Sequence, residues 1–208
     1  MAESRPPPRR VEYDVLAKWR TLSFDDVTRA VIEPRLHAPP PRRFLAPEPF
    51  QVLEAACARL LATRLGEPPI AHWIDADLFE GRDDEGFRHP DMPWAREAWG
   101  LGLNGLGLEA RHRHGGGFAA LDGPRQDDVL HAVQHGRVQP RHFEGVDARR
   151  FFIDVLLKTA VGHYYSQPQA WSEIGFGGPA SPRGYVRIGL DRRDPWEAPF
   201  DTGRGHSP

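Results

Sequence analysis

Cysteine is almost absent from this sequence, with Cys57 its single occurrence. One thiol makes no intramolecular disulfide and no cysteine-rich metal site, which excludes a secreted disulfide scaffold and a zinc ribbon. Its setting, EAACARLLA, is that of a small buried thiol. Long hydrophobic runs are missing as well: nothing approaches the length of a membrane span, and the opening MAESRPPPRRVEYDVLAKW carries no signal-peptide core. As written, the sequence predicts a cytoplasmic chain with no direct membrane insertion, reaching the periplasm or a membrane only if exported with a partner. No sign of charge dominates either. Lys and Arg number 27 and Asp and Glu 29, for a net charge of -2, so the attraction that drives nonspecific nucleic-acid binding is missing from the total. Nucleic acid is therefore not an expected partner.

What the sequence has in quantity is proline and glycine, 21 of each in 208 residues, a length sufficient to bury a core without staples. Prolines and arginines cluster in RPPPRR and HAPPPRRF, where proline fixes its own torsion and restricts its predecessor, favouring extended backbone. Between the clusters, Ser23 is a candidate cap with Asp26 three residues on, and Phe24, Val27, Val31 and Leu36 follow a roughly helical spacing. From Pro47 the helical signal strengthens, with Phe50, Leu53, Cys57, Leu60 and Leu61 three and four apart. Ile70, Ile74 and Leu78 predict a second helix that stops at Gly81, and RDDEGFRHPD a charged loop. The stretch WAREAWGLGLNGLGLEARHR reads as a helix whose glycines allow close approach of a neighbour, although alternating Gly and Leu also fits a strand. Asp122 and Pro124 open a further helix ending at Gly136.

The segment DARRFFIDVLLKTAVGHYY is apolar nearly all round, with Phe152, Leu156 and Thr159 on one stripe and Ile153, Leu157, Val161 and Tyr165 on another, which predicts a helix at the centre of a bundle. After Pro168 periodicity is lost, yet Trp171, Phe176, Tyr185 and Trp196 are scattered through a glycine- and proline-rich tail. The expected architecture is all-α: a multihelical single-domain bundle, with an extended N-terminal arm bearing one short helix (1–46), a helical core (47–166) and an irregular, aromatic-rich C-terminal tail (167–208).

Catalytic constellations are weak. Asp127, His131 and His135 lie four apart on one helical stripe and offer a carboxylate and two imidazoles, with His142 shortly beyond. A small metal-dependent enzyme built on His131 and His135 is the alternative this stripe raises. The opposite face carries Val129, Leu130 and Val133, so the same stripe is what any surface helix shows. His112 and His114 follow arginines at a predicted helix end, where cationic side chains suit the dipole. His163, on the apolar helix, reads as a hydrogen-bonded core histidine. In DADLFEGRDDEG, Phe79 occupies a ligand position of a calcium loop and the glycine falls one place late. Ser166, Ser172 and Ser181 sit in no nucleophile elbow. The string GFGGPASPRG is followed by no helix start, since Pro179 and Pro182 interrupt it, and reads as turn-forming backbone rather than a phosphate cradle. The tail aromatics must pack on something, either this chain's own helices or a partner, where Trp, Tyr and Arg are the usual anchors.

The stretch FFIDVLLKTAVGHYYSQPQAWSEIGFGGPASPRGY resembles the C-terminal signature of the gluconate 2-dehydrogenase subunit 3 family: an aromatic-rich helix ending in Gly-x-Tyr-Tyr and a proline, then a tryptophan and an IGF-type glycine turn. YDVLAKWRTLSFDDVTRAVIEPRL and RFLAPEPFQVLEAACARLL are similar to that family's N-terminal half, so the resemblance spans roughly residues 12 to 198. It implies a small, multihelical subunit that binds no cofactor itself. The implied partner is a large FAD-dependent dehydrogenase of the glucose-methanol-choline type, often with a cytochrome c subunit, which the small subunit helps to fold or to cross the membrane. Many relatives carry a twin-arginine export signal; here Arg9 and Arg10 are followed by no apolar stretch. The contact region the resemblance implies comprises Tyr164, Tyr165, Trp171, Ile174, Gly175, Phe176, Gly177, Gly178, Pro179 and Tyr185.

Overall fold

A computed structural model describes residues 13–61, 69–82 and 89–179. Among these the chain is helical and contains no strand. Contacts divide it into two units, one spanning Pro39–Tyr164 and the other built from the chain's two ends, Met1–Ala38 and Tyr165–Pro208.

The larger unit is a helical core. Helix α2 (Pro47–Leu60) starts on a proline with Glu48 in its first turn and buries Phe50, Val52, Leu53, Ala56 and Cys57. Burial pushes the Cys57 thiol up to about 12, with Glu54 adding to the rise, so it is an inert packing group. Helix α3 (Ile70–Glu80) buries Ile70, Ile74 and Leu78 and ends at Gly81, as the spacing predicts. At its end Arg96 donates to the oxygens of Leu78 (2.7 Å) and Phe79 (3.0 Å). The proline segment before α2 is fixed by α3. The fully buried Asp75 carboxylate accepts the backbone N–H groups of Arg43 (2.5 Å), Phe44 (3.2 Å) and Leu45 (2.7 Å), and His72 Nδ1 meets the Pro40 carbonyl at 2.9 Å. Extended backbone has no ladder of its own, so these side chains supply its hydrogen bonds.

Helix α4 (Ala95–His114) is the element the others share: it touches α2, α5 (Gly123–Gln134), the 3-10 turn Pro140–Phe143 and the π-helical stretch Phe151–Leu157. Its alternating Gly and Leu form a helix, and two of the glycines explain why. A Cβ on Gly102 would stand 2.2 Å from the Phe151 ring, and one on Gly105 would stand 2.6 Å from Phe143. Both rings lie directly on bare helix backbone. Trp99 adds an edge-on contact to Phe151, with ring centres 5.9 Å apart.

The apolar segment 147–165 is not the bundle centre that its composition predicts. It runs as α6 (Ala148–Arg150), the π-helical stretch and α7 (Lys158–Tyr165). The wider π turn places residues about five apart on one face, so Phe151, Phe152 and Leu156 are buried together while Ile153 and Tyr165 of the second stripe are exposed. A mixed helix of this kind buries one side, and α4 occupies the centre because its glycines admit neighbours.

In the smaller unit, α1 (Asp26–Ile32) runs on into a 3-10 turn, Glu33–Leu36. The cap is Asp25, which accepts the Thr28 N–H at 2.7 Å, and not Ser23. Ser23 is buried, and its Oγ has no hydrogen-bond partner. Beyond Tyr165 the sequence lacks periodicity, yet Pro168–Ile174 forms a two-turn helix, α8, opened by its proline and closed at Gly175.

Replacing Gly102 by alanine should destabilise the protein by about 1–3 kcal/mol, since the ring beneath has no space to yield. Gly100→Ala, with open space at its Cβ, should be neutral or stabilise by up to about 1 kcal/mol. Thermal melts of the two variants check this, and equal shifts would refute the packing role.

Candidate partner interface

The smaller unit carries most of the residues that the sequence marks for contact, and its interior is built by the two ends of the chain folding on each other. Val15, Phe24, Ile32 and Trp171 are buried in one cluster, flanked by Tyr13, Leu16 and Trp19. Asp14 caps the 3-10 turn Val15–Lys18, and the Val15 N–H donates to Ser172 Oγ at 3.1 Å. Lys18 Nζ donates to the Gly177 carbonyl at 2.8 Å, and the Tyr13 hydroxyl to the Phe176 carbonyl at 3.2 Å. Arg35 donates to the Ser166 carbonyl at 3.0 Å. Four separate hydrogen bonds thus tie residues 13–35 to 166–177. The backbone at Gly178 is left-handed (φ 87°), and a Cβ there would stand 3.2 Å from Val15 and 3.3 Å from Phe24. Only glycine serves both demands.

This arrangement sorts the expected contact residues. Trp171 is buried: its ring faces Phe176 edge-on at 5.8 Å, and its Nε1–H donates to the Tyr165 carbonyl at 2.6 Å. Its packing therefore lies inside the unit, the first of the two roles open to the tail aromatics. Tyr164, at the end of the helical core, is buried too, as are Gly175, Gly177 and Gly178; Pro179 is half-buried. Tyr165, Ile174 and Phe176 are exposed. Tyr185 lies outside the described residues.

Three further apolar side chains stand exposed on the same unit. Leu22 is 82% exposed, Val27 74% and Val31 58%. Val27 and Val31 share a helical stripe as their spacing predicts, but the stripe faces outward, because Phe24 and Ile32 supply the inner contacts. Periodicity reports that a stripe exists, and not which neighbour covers it.

The Asp127, His131 and His135 stripe is not assembled as a ligand set. Asp127 is held by Arg59 through two hydrogen bonds, at 2.8 and 2.5 Å, and this contact keeps its carboxyl below the ordinary range. His135 Nδ1 meets the His131 carbonyl at 2.8 Å, and no group of three or more His, Cys, Asp or Glu among the described residues is placed to hold a metal. His163 is paired, as expected of a core histidine, with its Nε2 3.2 Å from Asp77.

A second polar cluster was not legible from spacing. Glu109, on α4, is 1% exposed, and its carboxylate receives Arg113 Nε (2.7 Å), His142 Nδ1 (2.8 Å) and the Gln139 N–H (3.2 Å). Burial alone would raise the Glu109 carboxyl, but these hydrogen bonds outweigh it and hold the group below its ordinary 4.5. His142 is 33 residues away in sequence, a separation no periodicity links to α4.

The sequence model for gluconate 2-dehydrogenase subunit 3 matches residues 47–178, well over half of the chain. The chain belongs to that family. The match takes in α2 through α8 and the IGFGG turn, while residues 12–46, whose resemblance the sequence also suggests, lie outside it. No curated protein and no solved structure matches the chain. The matched segment includes Tyr164, Trp171 and the glycine turn, which pack in the fold described above. No helix among the described residues is long and apolar enough to cross a membrane.

Two outcomes follow from this geometry. Trp171→Ala should cost about 3–5 kcal/mol in the smaller unit; amide exchange should lose protection across Val15–Ile32 while α4 keeps it, and uniform protection would contradict the cluster. Glu109, with its folded pKa depressed, contributes stability that is present above about pH 4.5 and lost as pH falls through the lower folded value. Urea midpoints should therefore drop more between about pH 5 and pH 3 in the wild type than in Glu109→Gln. Parallel profiles would remove Glu109 from the acid response.

Proposed function

We propose that this chain is a non-catalytic small subunit or dedicated chaperone of a flavin-dependent sugar or alcohol dehydrogenase of the glucose-methanol-choline type, such as gluconate 2-dehydrogenase, on which it docks. FAD belongs to the large partner subunit, a cytochrome c subunit completes the assembly in some cases, and this chain holds no cofactor. Family membership supports a dehydrogenase complex as its setting. The observation that carries the docking reading is the outer surface of the smaller unit, where Leu22, Val27, Val31, Ile174 and Phe176 are exposed on a frame already closed by its own core. Apolar side chains left outside a completed core favour a partner surface.

A subunit without chemistry acts by mass action. If it binds the native flavoprotein and not its unfolded form, it stabilises that protein by about 2.7 kcal/mol when present at about 100 times its dissociation constant. Each exposed aliphatic side chain that the complex buries contributes about 1.5–3 kcal/mol before ordering costs. Residues that merely build the unit contribute indirectly, through its shape. The compartment follows the partner: cytoplasmic for the chain alone, periplasmic or membrane-associated where the flavoprotein carries both across.

Gentle purification of the tagged chain from its native host should bring down a stoichiometric partner with a flavin absorption spectrum; a colourless monomer in repeated preparations would sink the reading. With that partner in hand, Leu22→Ser combined with Val27→Ser and Val31→Ser should weaken the complex by about 2–4 kcal/mol without lowering the melting temperature. Unchanged affinity in the folded triple variant would move the interface elsewhere.

A further inference from the structure

We propose that His112 and His142 together bind one borderline transition-metal ion of the Zn2+, Cu2+ or Ni2+ class, with Glu109 as the positioning residue. The inference is independent of the docking role and rests on the polar cluster at the end of α4. His142 comes to α4 on the Pro140–Phe143 turn, which Phe143 anchors against Gly105. Its Nδ1 is 2.8 Å from Glu109 Oε2, and the Glu109 carboxylate is fixed from two other directions by Arg113 and the Gln139 N–H. A carboxylate there takes the Nδ1 proton as its hydrogen bond and leaves Nε2 with the lone pair. Metal-binding histidines are held in this way, with the second nitrogen tied to a carboxylate that sets tautomer and ring orientation.

His112 follows Glu109 by three residues on α4 and so lies on the same helix face. Its ring centre is 5.5 Å from that of His142, with the planes at 69°. Two imidazoles on one tetrahedral ion, each with its nitrogen about 2.0–2.1 Å from the metal, have ring centres roughly 5 Å apart. His112 is exposed, so its ring turns without displacing packed atoms. Two neighbouring cations are paired: Arg113 with Glu109 and with Asp128 at 3.5 Å, and Arg111 with Glu48. Among the described residues no third His, Cys, Asp or Glu completes the set, so water fills the remaining positions and imidazole-favouring metals are selected over Mg2+ and Ca2+. The other histidine pair lacks these features. The His131 and His135 rings are 6.5 Å apart, and their neighbouring carboxylate, Asp127, is taken by Arg59.

Calorimetric titration of the full chain with Zn2+, and with Co2+ followed by visible absorption, tests the site. One ion should bind per chain, and Co2+ should show ligand-field bands. His112→Ala, at an exposed position, should melt like the wild type and lose at least about tenfold in affinity; Glu109→Gln should weaken binding about tenfold or more and alter the Co2+ spectrum. The His131→Ala, His135→Ala double variant should bind as the wild type does. Absence of binding, binding that survives in the His112 variant, or binding lost only in the double variant would each overturn the assignment.

Discussion

The helical core depends on a constraint at the face of α4: two phenyl rings lie where side chains would otherwise be. Phe151 and Phe143 rest on backbone bared at Gly102 and Gly105. Glycine weakens an isolated helix by about 1 kcal/mol relative to alanine, and that cost is offset here by aromatic surface buried at backbone distance. The consequences spread outward. Phe151 opens the π-helical stretch, whose wide turn gathers Phe152 and Leu156 onto the same core. Phe143 ends the turn that carries His142 to Glu109. Packing at these glycines thus helps decide where His142 meets the buried Glu109 carboxylate.

A second constraint acts on backbone that has no regular structure. The proline-rich approach to α2 cannot pair with itself, and Asp75 gathers three consecutive N–H groups from it while His72 takes the Pro40 carbonyl. A buried carboxylate without such donors would be costly; with three of them it becomes a fixed point. The smaller unit uses the same logic with the roles exchanged. There the carbonyls of Gly177 and Phe176 in the IGFGG turn accept from Lys18 and Tyr13, more than 150 residues earlier in the chain. In both places a side chain far away in sequence closes the hydrogen bonds of a segment that local structure leaves open.

The division between interior and exposed apolar surface in the smaller unit follows from size. Trp171 is the largest apolar side chain near the glycine turn, and burying it with Val15, Phe24 and Ile32 gives that small unit a core. What remains outside is a set of smaller aliphatics with Phe176, arranged on a frame that Trp171 stiffens from within. The residues that close the frame and the apolar side chains left exposed on it are therefore different sets.

Helix positions were legible in the sequence because they depend on interactions within a few residues. The starts at Pro47 and Asp122, the stop at Gly81 and the all-helical character follow from caps, prolines and 3.6-residue periodicity. The family signature was legible for the same reason, as an order of local motifs. Local spacing did not reveal the cap at Asp25 over Ser23, the short helix after Pro168, the outward turn of Val27 and Val31, or the burial of Trp171. Nor did it reveal Glu109 with His142, or α4 rather than the more apolar 147–165 as the shared helix. The cap and the short helix are local choices between neighbouring candidates, whereas the others depend on which surfaces meet across tens of residues or more. Periodicity fixes the side of a helix that is apolar; only tertiary packing decides which neighbour, if any, that side is given.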